Sequence, residues 1–382
     1  MTDRRSILLL SSSSGAGHAI AARAIEEELS AAGLPVVHLD AYQFVSPATR
    51  WASTELHLNL LEASPTVYGS LYRLAVQSEA LAEAYRRLPA WGQTAFVQTL
   101  LQLRPSVVFS THAIGCLLAA PLKSHMGFRL GVLTTDYYSH AFHRHARVDC
   151  YCASHEWTAL DLQRAGVPQD RIAVTGIPLR RAFDAVPDRE SARRILGLPL
   201  DRPLVLVTGG GMTTGQETVV LLEALLRARE LASCVFVAVL GHRLREYQVL
   251  TERFSRVSRL RLERFVDTME TFLAAADIVI GKAGGLSSTE TFAVGRPLIL
   301  YAPNAGVEAP NVARFVAAGA ALDAGRSPQR VIEALRELFA SPARQQALVT
   351  AGKALMKPGS RPAVRTVVER LVAESIPLPV FG

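Results

Sequence analysis

The residues best suited to chemistry lie where buried strands run into glycine-rich turns. Ile278–Ile280 is an apolar run that enters such a turn, which contains Gly284 and Gly285 and leads into a predicted helix at Ser287 and Ser288. Glycines let a ligand approach the backbone closely, and a helix N-terminus offers unpaired N–H groups and a positive dipole end. The serine hydroxyls add further donors. This combination indicates a phosphate-binding turn, although a tight turn without a ligand remains the alternative.

Two further features favour a bound nucleotide at this turn. Glu290 follows within the first turns of the predicted helix, where its carboxylate can accept hydrogen bonds from ribose hydroxyls. Another buried strand, Leu204–Thr208, runs into three glycines that offer a second set of backbone donors, namely Gly209, Gly210 and Gly211. Because the same order of strand, glycines and helix recurs, we prefer the ligand-binding interpretation.

A histidine near a helix N-terminus is the candidate base. Ser6–Leu10 is typical of a strand buried on both faces, and the run S-S-S-S-G-A-G-H follows it, ending in Gly17 and His18. The dipole of the next helix opposes protonation there and keeps the imidazole neutral. The residues alone leave open whether His18 is a base or a loop histidine that caps the turn.

Two more polar residues follow predicted strands. His112 comes after Val107–Ser110, and Asp136 comes after Arg129–Thr134. In a doubly wound sheet the carboxyl ends of parallel strands lie at one edge, so both side chains should converge with His18. Asp136 can orient or charge-stabilise a histidine there, and an N-cap or turn aspartate is the alternative.

The elements that position these residues come from a chain of 382 residues, long enough for two domains. Hydrophobic residues make up 49% and charged residues 20%, which excludes disordered and fibrous classes. No apolar run approaches the ~20 residues that span a bilayer, and residues 1–15 lack a signal-peptide cleavage pattern. We therefore expect a cytoplasmic protein. Four cysteines in this length do not make a disulfide framework.

The net charge of +7 suits an anionic partner surface. It is spread over both halves, without the basic stripe and interleaved aromatics of nucleic-acid binding, so we expect no nucleic-acid partner. Residues 42–104 form a predicted helical region whose aromatic and basic residues suit lipid headgroups: Tyr42, Phe44, Trp51, Tyr68, Tyr72, Arg73, Tyr85, Arg86, Arg87 and Trp91. Docking on an anionic membrane and ordinary helix packing both remain open for this region.

The predicted strands fall into two groups. The first group comprises Ser6–Leu10, Val36–Leu39, Val107–Ser110, Arg129–Thr134, Tyr151–Ala153 and Ile172–Thr175, and the second comprises Leu204–Thr208, Val235–Leu240, Arg261–Val266, Ile278–Ile280 and Leu298–Tyr301. Residues 184–202 are polar, rich in proline and poor in core residues, which predicts an interdomain linker. We therefore divide the chain into an acceptor-side domain (1–183), that linker, a nucleotide-sugar domain (203–358), and a C-terminal helix and tail (359–382).

Several motifs resemble one family of glycosyltransferases. The runs K-A-G-G-x-x-S-T-E, G-R-P-L-I-L-Y and G-V-E-x-x-N, together with T-D-Y-x-x-H at 135–140 and S-T-H at 110–112, resemble monogalactosyldiacylglycerol synthases and processive diacylglycerol glucosyltransferases. These enzymes are related to the peptidoglycan lipid-intermediate N-acetylglucosaminyltransferase. The resemblance implies the α/β GT-B fold, in which two Rossmann-like, doubly wound domains face a central cleft. It also implies His18 as the catalytic base.

The resemblance implies an inverting transferase that moves a hexose from a UDP-sugar to a lipid hydroxyl, most simply that of diacylglycerol, at the inner face of the cell membrane. It assigns the sugar contacts to Glu308 and Asn311 and the nucleobase contact to the backbone of Phe265 and Val266. Val307 stands where the family has glutamine, so the sugar stays open. His143 stands where the family often has tryptophan. A soluble natural-product acceptor, a sugar-nucleotide 2-epimerase and a catalytically silent UDP-sugar-binding regulator are the alternatives.

We expect no metal and no cofactor beyond the sugar-nucleotide substrate. The chain contains no D-x-D motif of the kind that holds a metal-bound diphosphate. One group of histidines and cysteines fits no tetrahedral zinc spacing, namely His140, His143, His145, Cys150, Cys152 and His155. Nothing in the residues indicates an oligomeric state.

Overall fold

The computed structural model describes residues 6–13, 15–46, 93–209, 215–242, 244–304 and 306–375, together with a few residues between 50 and 83. The chain forms two compact units, one of residues 1–180 with 357–382 and the other of residues 181–356. Each unit contains a six-stranded parallel sheet with helices packed on it. This is the α/β doubly wound architecture that the alternation of apolar runs and amphipathic segments predicts.

The first unit is built on strands β1 to β6 and helices α1 to α5. The strands are β1 (Ile7–Ser11), β2 (Val36–Asp40), β3 (Val107–Ser110), β4 (Arg129–Leu133), β5 (Cys150–Ala153) and β6 (Ile172–Val174), in the order β2-β1-β3-β4-β5-β6. The helices are α1 (Ala16–Ala31), α2 (Gln93–Leu103), α3 (Ala113–Ala119), α4 (Lys123–Met126) and α5 (Glu156–Arg164).

The second unit holds strands β7 to β12 and helices α6 to α13. The strands are β7 (Leu204–Thr208), β8 (Val235–Val239), β9 (Leu260–Glu263), β10 (Ile278–Gly281), β11 (Leu298–Leu300) and β12 (Leu322–Asp323), in the order β12-β11-β10-β7-β8-β9. The helices are α6 (Arg189–Leu196), α7 (Gly215–Arg227), α8 (Leu244–Phe254), α9 (Met269–Ala275), α10 (Gly285–Val294), α11 (Ala309–Ala317), α12 (Pro328–Ala340) and α13 (Pro342–Ala354).

All eleven predicted strands occur, with their ends shifted by up to three residues. The largest shift is in β9, which ends at Glu263 rather than Val266. The two-residue strand β12 and helix α13 were not predicted. β1 shows why long apolar runs predict strands in this chain, because every residue of β1 is buried. Its alternate residues pack on opposite faces of the sheet, as a strand covered on both sides requires.

The C-terminal helix α14 (Ser360–Ala373) belongs to the first unit, not to a separate tail. Its Val364 and Val368 are fully buried in the same core cluster as Cys150 and Cys152, which share one face of β5. Arg365 of α14 also donates from Nη1 to Glu28 Oε1 of α1 at 2.8 Å. The helix therefore covers one face of the sheet that carries the candidate base.

The predicted linker is wrong, because residues 184–202 lie within the second unit. Their helix α6 packs against α9, and the side chain of Arg193 is fully buried. Its guanidinium group donates to the Ala275 carbonyl at 2.9 Å and to Asp277 Oδ2 at 2.8 Å. Arginine-rich segments are usually exposed to solvent. Composition therefore predicted a linker where the chain forms helix α6, which is anchored by the buried charge of Arg193.

The predicted membrane-docking region is mostly outside the described residues. Of its aromatic residues, Tyr42 and Phe44 are buried in the core of the first unit and so are unavailable to lipid, whereas Trp51 is exposed. Within the residues that are described, no helix combines the length and apolarity needed to cross a membrane.

Candidate active site

Both candidate sites lie at the point where the strand order of a sheet reverses. In the first unit β1 lies between β2 and β3, so the turns after β1 and β3 diverge and leave a crevice. His18 follows β1 and His112 follows β3, and their ring centroids are 4.6 Å apart in an edge-to-face arrangement. In the second unit the equivalent point lies between β7 and β10, whose ends carry Gly209 and Gly284. The two sets of predicted residues therefore occupy the positions where open α/β sheets bind ligands.

The hydrogen bonds of His18 fix which ring nitrogen can act as a base. Nδ1 lies 2.7 Å from the Thr111 carbonyl oxygen and 3.0 Å from the Thr135 hydroxyl. A carbonyl oxygen only accepts, so Nδ1 carries the hydrogen and Nε2 carries the lone pair. His18 lies in the first turn of α1, with Gly17 before it. Nε2 is thus the atom available to take a proton.

The other two predicted catalytic residues take different positions around His18. His112 caps α3, because its Nδ1 accepts the Ile114 N–H at 3.2 Å. Burial has the largest effect on the pKa of His18 and lowers it, and the negative charge of Asp136 opposes this effect, so the predicted charge-stabilising role of Asp136 stays a prediction. The orienting contact at Nδ1 is made by Thr111 and Thr135, which the sequence reasoning missed. Their signal was present, since each threonine directly follows a buried strand.

Burial keeps the histidines of this site neutral. The net pKa of His18 is lowered, because burial outweighs the opposing effects of the Asp136 charge and the Thr111 carbonyl. Burial and the charges of His18 and His143 hold the pKa of His112 well below its usual value. Burial, followed by the charges of neighbouring histidines and Arg144, lowers the pKa of His140 to about 3 and that of His143 well below normal.

The lowered pKa values of these four histidines predict a loss of stability in acid. Between the usual histidine pKa near 6.5 and the lowered folded values, the unfolded chain binds more protons, so the free energy of unfolding falls as pH falls. Each histidine contributes up to about 1.4 kcal/mol per pH unit within that window. Urea unfolding from pH 8 to pH 4 measures the slope. The double variant His140→Gln/His143→Gln should flatten it, whereas His125→Gln, at an exposed position, should not. Equal slopes would contradict the assignment.

The glycine turn of the second unit is explained by close approach rather than by a left-handed turn. Gly284 is the N-cap of α10 with extended backbone angles (φ −66°, ψ 137°). A side chain on Gly281 would meet Thr208 Oγ1 at 2.6 Å, and one on Gly284 would meet Ser287 Oγ at 3.0 Å. The two glycines therefore let Thr208 and Ser287 pack against the turn, and the N–H groups at the start of α10 are the donors expected of a phosphate-binding turn.

Ser288 has the unmet hydrogen-bonding capacity expected of a phosphate contact. Its side chain is 1% exposed, and its Oγ has no hydrogen-bond partner in the described part of the chain. The neighbouring Ser287 hydroxyl already donates to the Gly284 carbonyl at 3.3 Å. Glu290 is buried on the same helix. A buried hydroxyl at the N-terminus of α10 indicates that a bound anion supplies its partner.

Ser288→Ala should weaken donor binding without unfolding the protein. A hydrogen bond to a charged acceptor is worth about 1.5–3 kcal/mol, so the Kd for UDP should rise about ten- to a hundredfold. Thr291→Val is the matched control, because it removes a hydroxyl of the same helix that donates to the Ser287 carbonyl at 2.9 Å. Titration calorimetry with UDP measures both variants. Wild-type affinity in Ser288→Ala would argue against the contact.

A buried polar network supports this turn, and sequence reasoning missed part of it. Lys282 donates from Nζ to Asn304 Oδ1 at 2.6 Å, and the Asn304 N–H donates to Glu308 Oε2 at 2.7 Å. Asn311 is fully buried and donates to the Ala283 carbonyl at 2.8 Å. Glu308 and Asn311, predicted as sugar contacts, thus hold the turn in this structure. Lys282 is the lysine of the K-A-G-G run, so the sequence contained this buried cation although no role was predicted for it.

A small pocket opens at the end of β7 and β10. Its lining includes Thr208, Gly209, Thr218, Lys282 and Tyr301. Gly209 is buried and its N–H donates to the Val239 carbonyl at 3.0 Å. Gly210 and Gly211, the other members of the predicted donor run, lie outside the described residues. The pocket is therefore lined both by Gly209, the first residue of one glycine run, and by β10, the strand that precedes the glycine turn at Gly284.

The predicted nucleobase contact lies farther along the same sheet edge. Phe265 and Val266 follow β9, and the ring of Phe265 stacks on His242, with centroids 4.2 Å apart and planes 14° apart. Strands are spaced about 4.8 Å, so the ends of β10 and β9 are roughly 14 Å apart. The predicted phosphate turn at Gly284 and the predicted base contact at Phe265 therefore lie along one sheet edge, and both roles stay predictions.

No metal centre is formed by the described residues, since no three of their histidine, cysteine, aspartate or glutamate side chains are grouped to hold an ion. His140 and His143 stack on each other, whereas Cys150 and Cys152 lie in the core beneath α14. A metal-independent reaction stays a prediction.

Two family models match the chain in succession. Residues 18–179 match the model described as monogalactosyldiacylglycerol (MGDG) synthase, and residues 204–358 match the C-terminal domain of glycosyltransferase family 28. A processive diacylglycerol beta-glucosyltransferase from Bacillus licheniformis is 23% identical, over 89% of this chain and 88% of the relative. The chloroplastic monogalactosyldiacylglycerol synthase 1 of Arabidopsis thaliana is 28% identical, over 92% of this chain and 68% of the relative.

The solved structures show the same fold at low identity. The structure of S. aureus MnaA with UDP has a TM-score of 0.66 and 14% identity, and the match covers 97% of this chain and 99% of that one. Two doubly wound sheets, each with a candidate site where its strand order reverses, form the GT-B fold. The chain carries an MGDG synthase domain followed by a family 28 C-terminal domain, and its relatives include MGDG synthases and processive diacylglycerol glucosyltransferases. It is a hexosyltransferase, and the resemblance of its motifs to these enzymes is confirmed.

Proposed function

We propose that this protein moves a hexose from a UDP-sugar to the hydroxyl of diacylglycerol, with inversion at the anomeric carbon. The acceptor class is supported by the names of its relatives, which act on diacylglycerol. The observation that carries the mechanism is the fixed tautomer of His18, whose Nδ1 bonds to the Thr111 carbonyl and leaves Nε2 as a base.

The residues of the two units have complementary roles in this reaction. The acceptor hydroxyl gives its proton to His18 Nε2 as its oxygen forms a bond to the anomeric carbon. The bond from that carbon to the diphosphate oxygen breaks, and the electron pair leaves with UDP. Backbone N–H groups at the Gly284 turn, the Ser288 hydroxyl and the dipole of α10 stabilise the departing charge. One displacement inverts the anomeric centre.

The function test is product formation from diacylglycerol in anionic liposomes. Wild-type protein is supplied with UDP-glucose or UDP-galactose, and glycolipid and UDP are quantified. Because Val307 leaves the identity of the sugar open, UDP-N-acetylglucosamine and a UDP-uronic acid are tested as further donors. Glycolipid and UDP in equal amounts support the proposal. UDP-sugar binding without lipid product would contradict it and redirect the search to soluble acceptors, and C2-epimerised sugar nucleotide would indicate an epimerase.

The proposal includes docking on the inner face of the cell membrane through residues 42–104. The net positive charge supports attraction to anionic lipid. Sedimentation with liposomes should fall as ionic strength rises from 50 to 300 mM if attraction is electrostatic. Equal binding to neutral and anionic liposomes would contradict docking through charge.

We expect the reaction to need no metal ion, because the charge of the leaving diphosphate is met by backbone donors, a helix dipole and Ser288. Assay in excess EDTA should leave the rate of UDP release within about twofold of the untreated enzyme. A collapse of activity that Mg²⁺ or Mn²⁺ restores would show that a metal carries that charge instead.

A further inference from the structure

Two imidazoles on the loop after β4 have buried nitrogens that no described residue bonds. His140 and His143 flank a short turn, and their ring centroids are 3.6 Å apart with planes tilted by 30°. The Nδ1 atoms of both are buried and have no hydrogen-bond partner within the described ranges. A buried polar atom without a partner costs free energy, so such atoms call for a ligand or an ordered water.

His140 and His143 belong to the same group of histidines as His18 and His112, at the crevice between β1 and β3. The loop that carries them follows β4, which pairs with β3, and His112 lies at the end of β3. Thr135, on the same loop, has its hydroxyl 3.0 Å from Nδ1 of His18, and burial followed by the charges of His112 and His18 lowers the pKa of His140. Two imidazoles with unused hydrogen-bonding capacity therefore stand near the atom that is to take the acceptor proton.

We propose that His140 and His143 form a subsite for a second hydroxyl of the acceptor, one that does not receive the sugar. This inference rests on the proposed function, because it takes His18 as the base for the hydroxyl that reacts. A neutral imidazole has one N–H donor and one lone pair, which match a hydroxyl that both donates and accepts. An acceptor whose single hydroxyl is consumed in the reaction leaves both nitrogens without that partner.

The subsite favours neutral, hydroxyl-rich head groups over a glycerolipid with one hydroxyl. Burial lowers the pKa of both rings, so they meet the acceptor as uncharged groups. Uncharged donors and acceptors suit glycerol or sugar hydroxyls, and a second hydroxyl bound here holds the reacting one in a defined position. His140 and His143 thereby become specificity-determining residues for the acceptor.

The test compares 1,2-dioctanoylglycerol with 1-monooctanoylglycerol, which has a free hydroxyl in place of one octanoyl ester, presented in the same mixed micelles. Wild-type protein should show a kcat/KM about three- to tenfold higher for monooctanoylglycerol, the worth of one neutral hydrogen bond. His140→Phe and His143→Phe keep an aromatic ring but remove the nitrogens, so the ratio should fall toward one. His143→Gln retains a donor and an acceptor and should keep an intermediate ratio. His125→Phe, at an exposed position, is the control and should keep the wild-type ratio.

The outcomes separate the subsite from the function on which it rests. If the phenylalanine variants lower kcat/KM for both acceptors by the same factor, the pair has a structural role and the subsite is overturned. A wild-type ratio near one overturns it as well, because the bare nitrogens are then met by water alone. Wild-type protein that glycosylates neither acceptor refutes the proposed function itself.

Discussion

His18→Gln should lower kcat for glycolipid formation by about 10²–10⁴-fold, the range that a positioned general base contributes. Glutamine keeps a side chain of similar reach that can donate to the Thr111 carbonyl, but it has no basic nitrogen to take the acceptor proton. The KM for the UDP-sugar should change little, because the donor turns belong to the second unit. Initial rates of UDP release with diacylglycerol, alongside UDP titration calorimetry, measure the two effects. His38→Gln is a matched control, since His38 bonds to Glu26 and Ser11 within the same unit.

The pH dependence of the wild-type enzyme provides an independent check of this role. Burial lowers the pKa of His18, so the imidazole is already neutral at pH 6.5 and above. The acid limb of kcat/KM should therefore lie below pH 6.5, and the rate should be flat from there to pH 8. A limb centred above pH 7 would require a raised pKa and would contradict the buried, neutral histidine. Activity of His18→Gln within tenfold of wild type would exclude His18 as the base.

The convergence of His18, His112 and Asp136 was predictable because it follows from topology. Each residue lies in the turn or helix start that follows a buried strand, and parallel strands end at one edge of a sheet. No knowledge of packing was needed. The same rule placed the glycine turn after β10 beside the one after β7.

The contacts that make the site specific were not predictable from local sequence. The Thr111 carbonyl lies 93 residues from His18 along the chain, and the Thr135 hydroxyl lies 117 residues away. Periodicity and turn chemistry describe neighbours a few residues apart, whereas these bonds depend on how β1, β3 and β4 pair in the sheet. The same limit applies to Lys282 and Asn304, which meet only after β10 and β11 have paired.

The linker error has a different cause, since it arose from composition and not from distance. Residues 184–202 are rich in arginine, aspartate and proline, which are usually exposed. Within α6, however, Ala192 and Arg193 are fully buried, while Arg194 and Ile195 are exposed. A segment that is polar on average can thus be anchored by one paired charge.

Arg193→Met should destabilise the second unit by about 3–5 kcal/mol, the cost of breaking a buried ion pair by removing one partner. Methionine fills much of the space of the arginine stem but leaves Asp277 without one of its cationic partners. It also deprives the carbonyls of Pro199 and Arg202 of donors that now lie 3.0 Å and 2.8 Å away. Urea unfolding monitored by circular dichroism measures the loss.

Arg194→Met on the same helix is the matched control for Arg193→Met. Arg194 is exposed and pairs with Glu190 one turn away, so its removal should cost about 0.5 kcal/mol or less. Equal losses in the two variants would mean that the buried pair contributes nothing beyond a surface one.

The position of Arg193 extends this prediction from stability to donor binding. Its partner Asp277 immediately precedes β10 and accepts the Leu204 N–H at 2.7 Å, at the start of β7. The ion pair therefore joins the two strands whose opposite ends carry Gly209 and the turn at Gly284. If Arg193→Met loosens that pairing, UDP affinity should fall at temperatures where the protein remains folded, whereas Arg194→Met should bind UDP as wild type does. Unchanged UDP affinity in a destabilised Arg193→Met protein would show that the two strand ends are held by their backbone pairing alone.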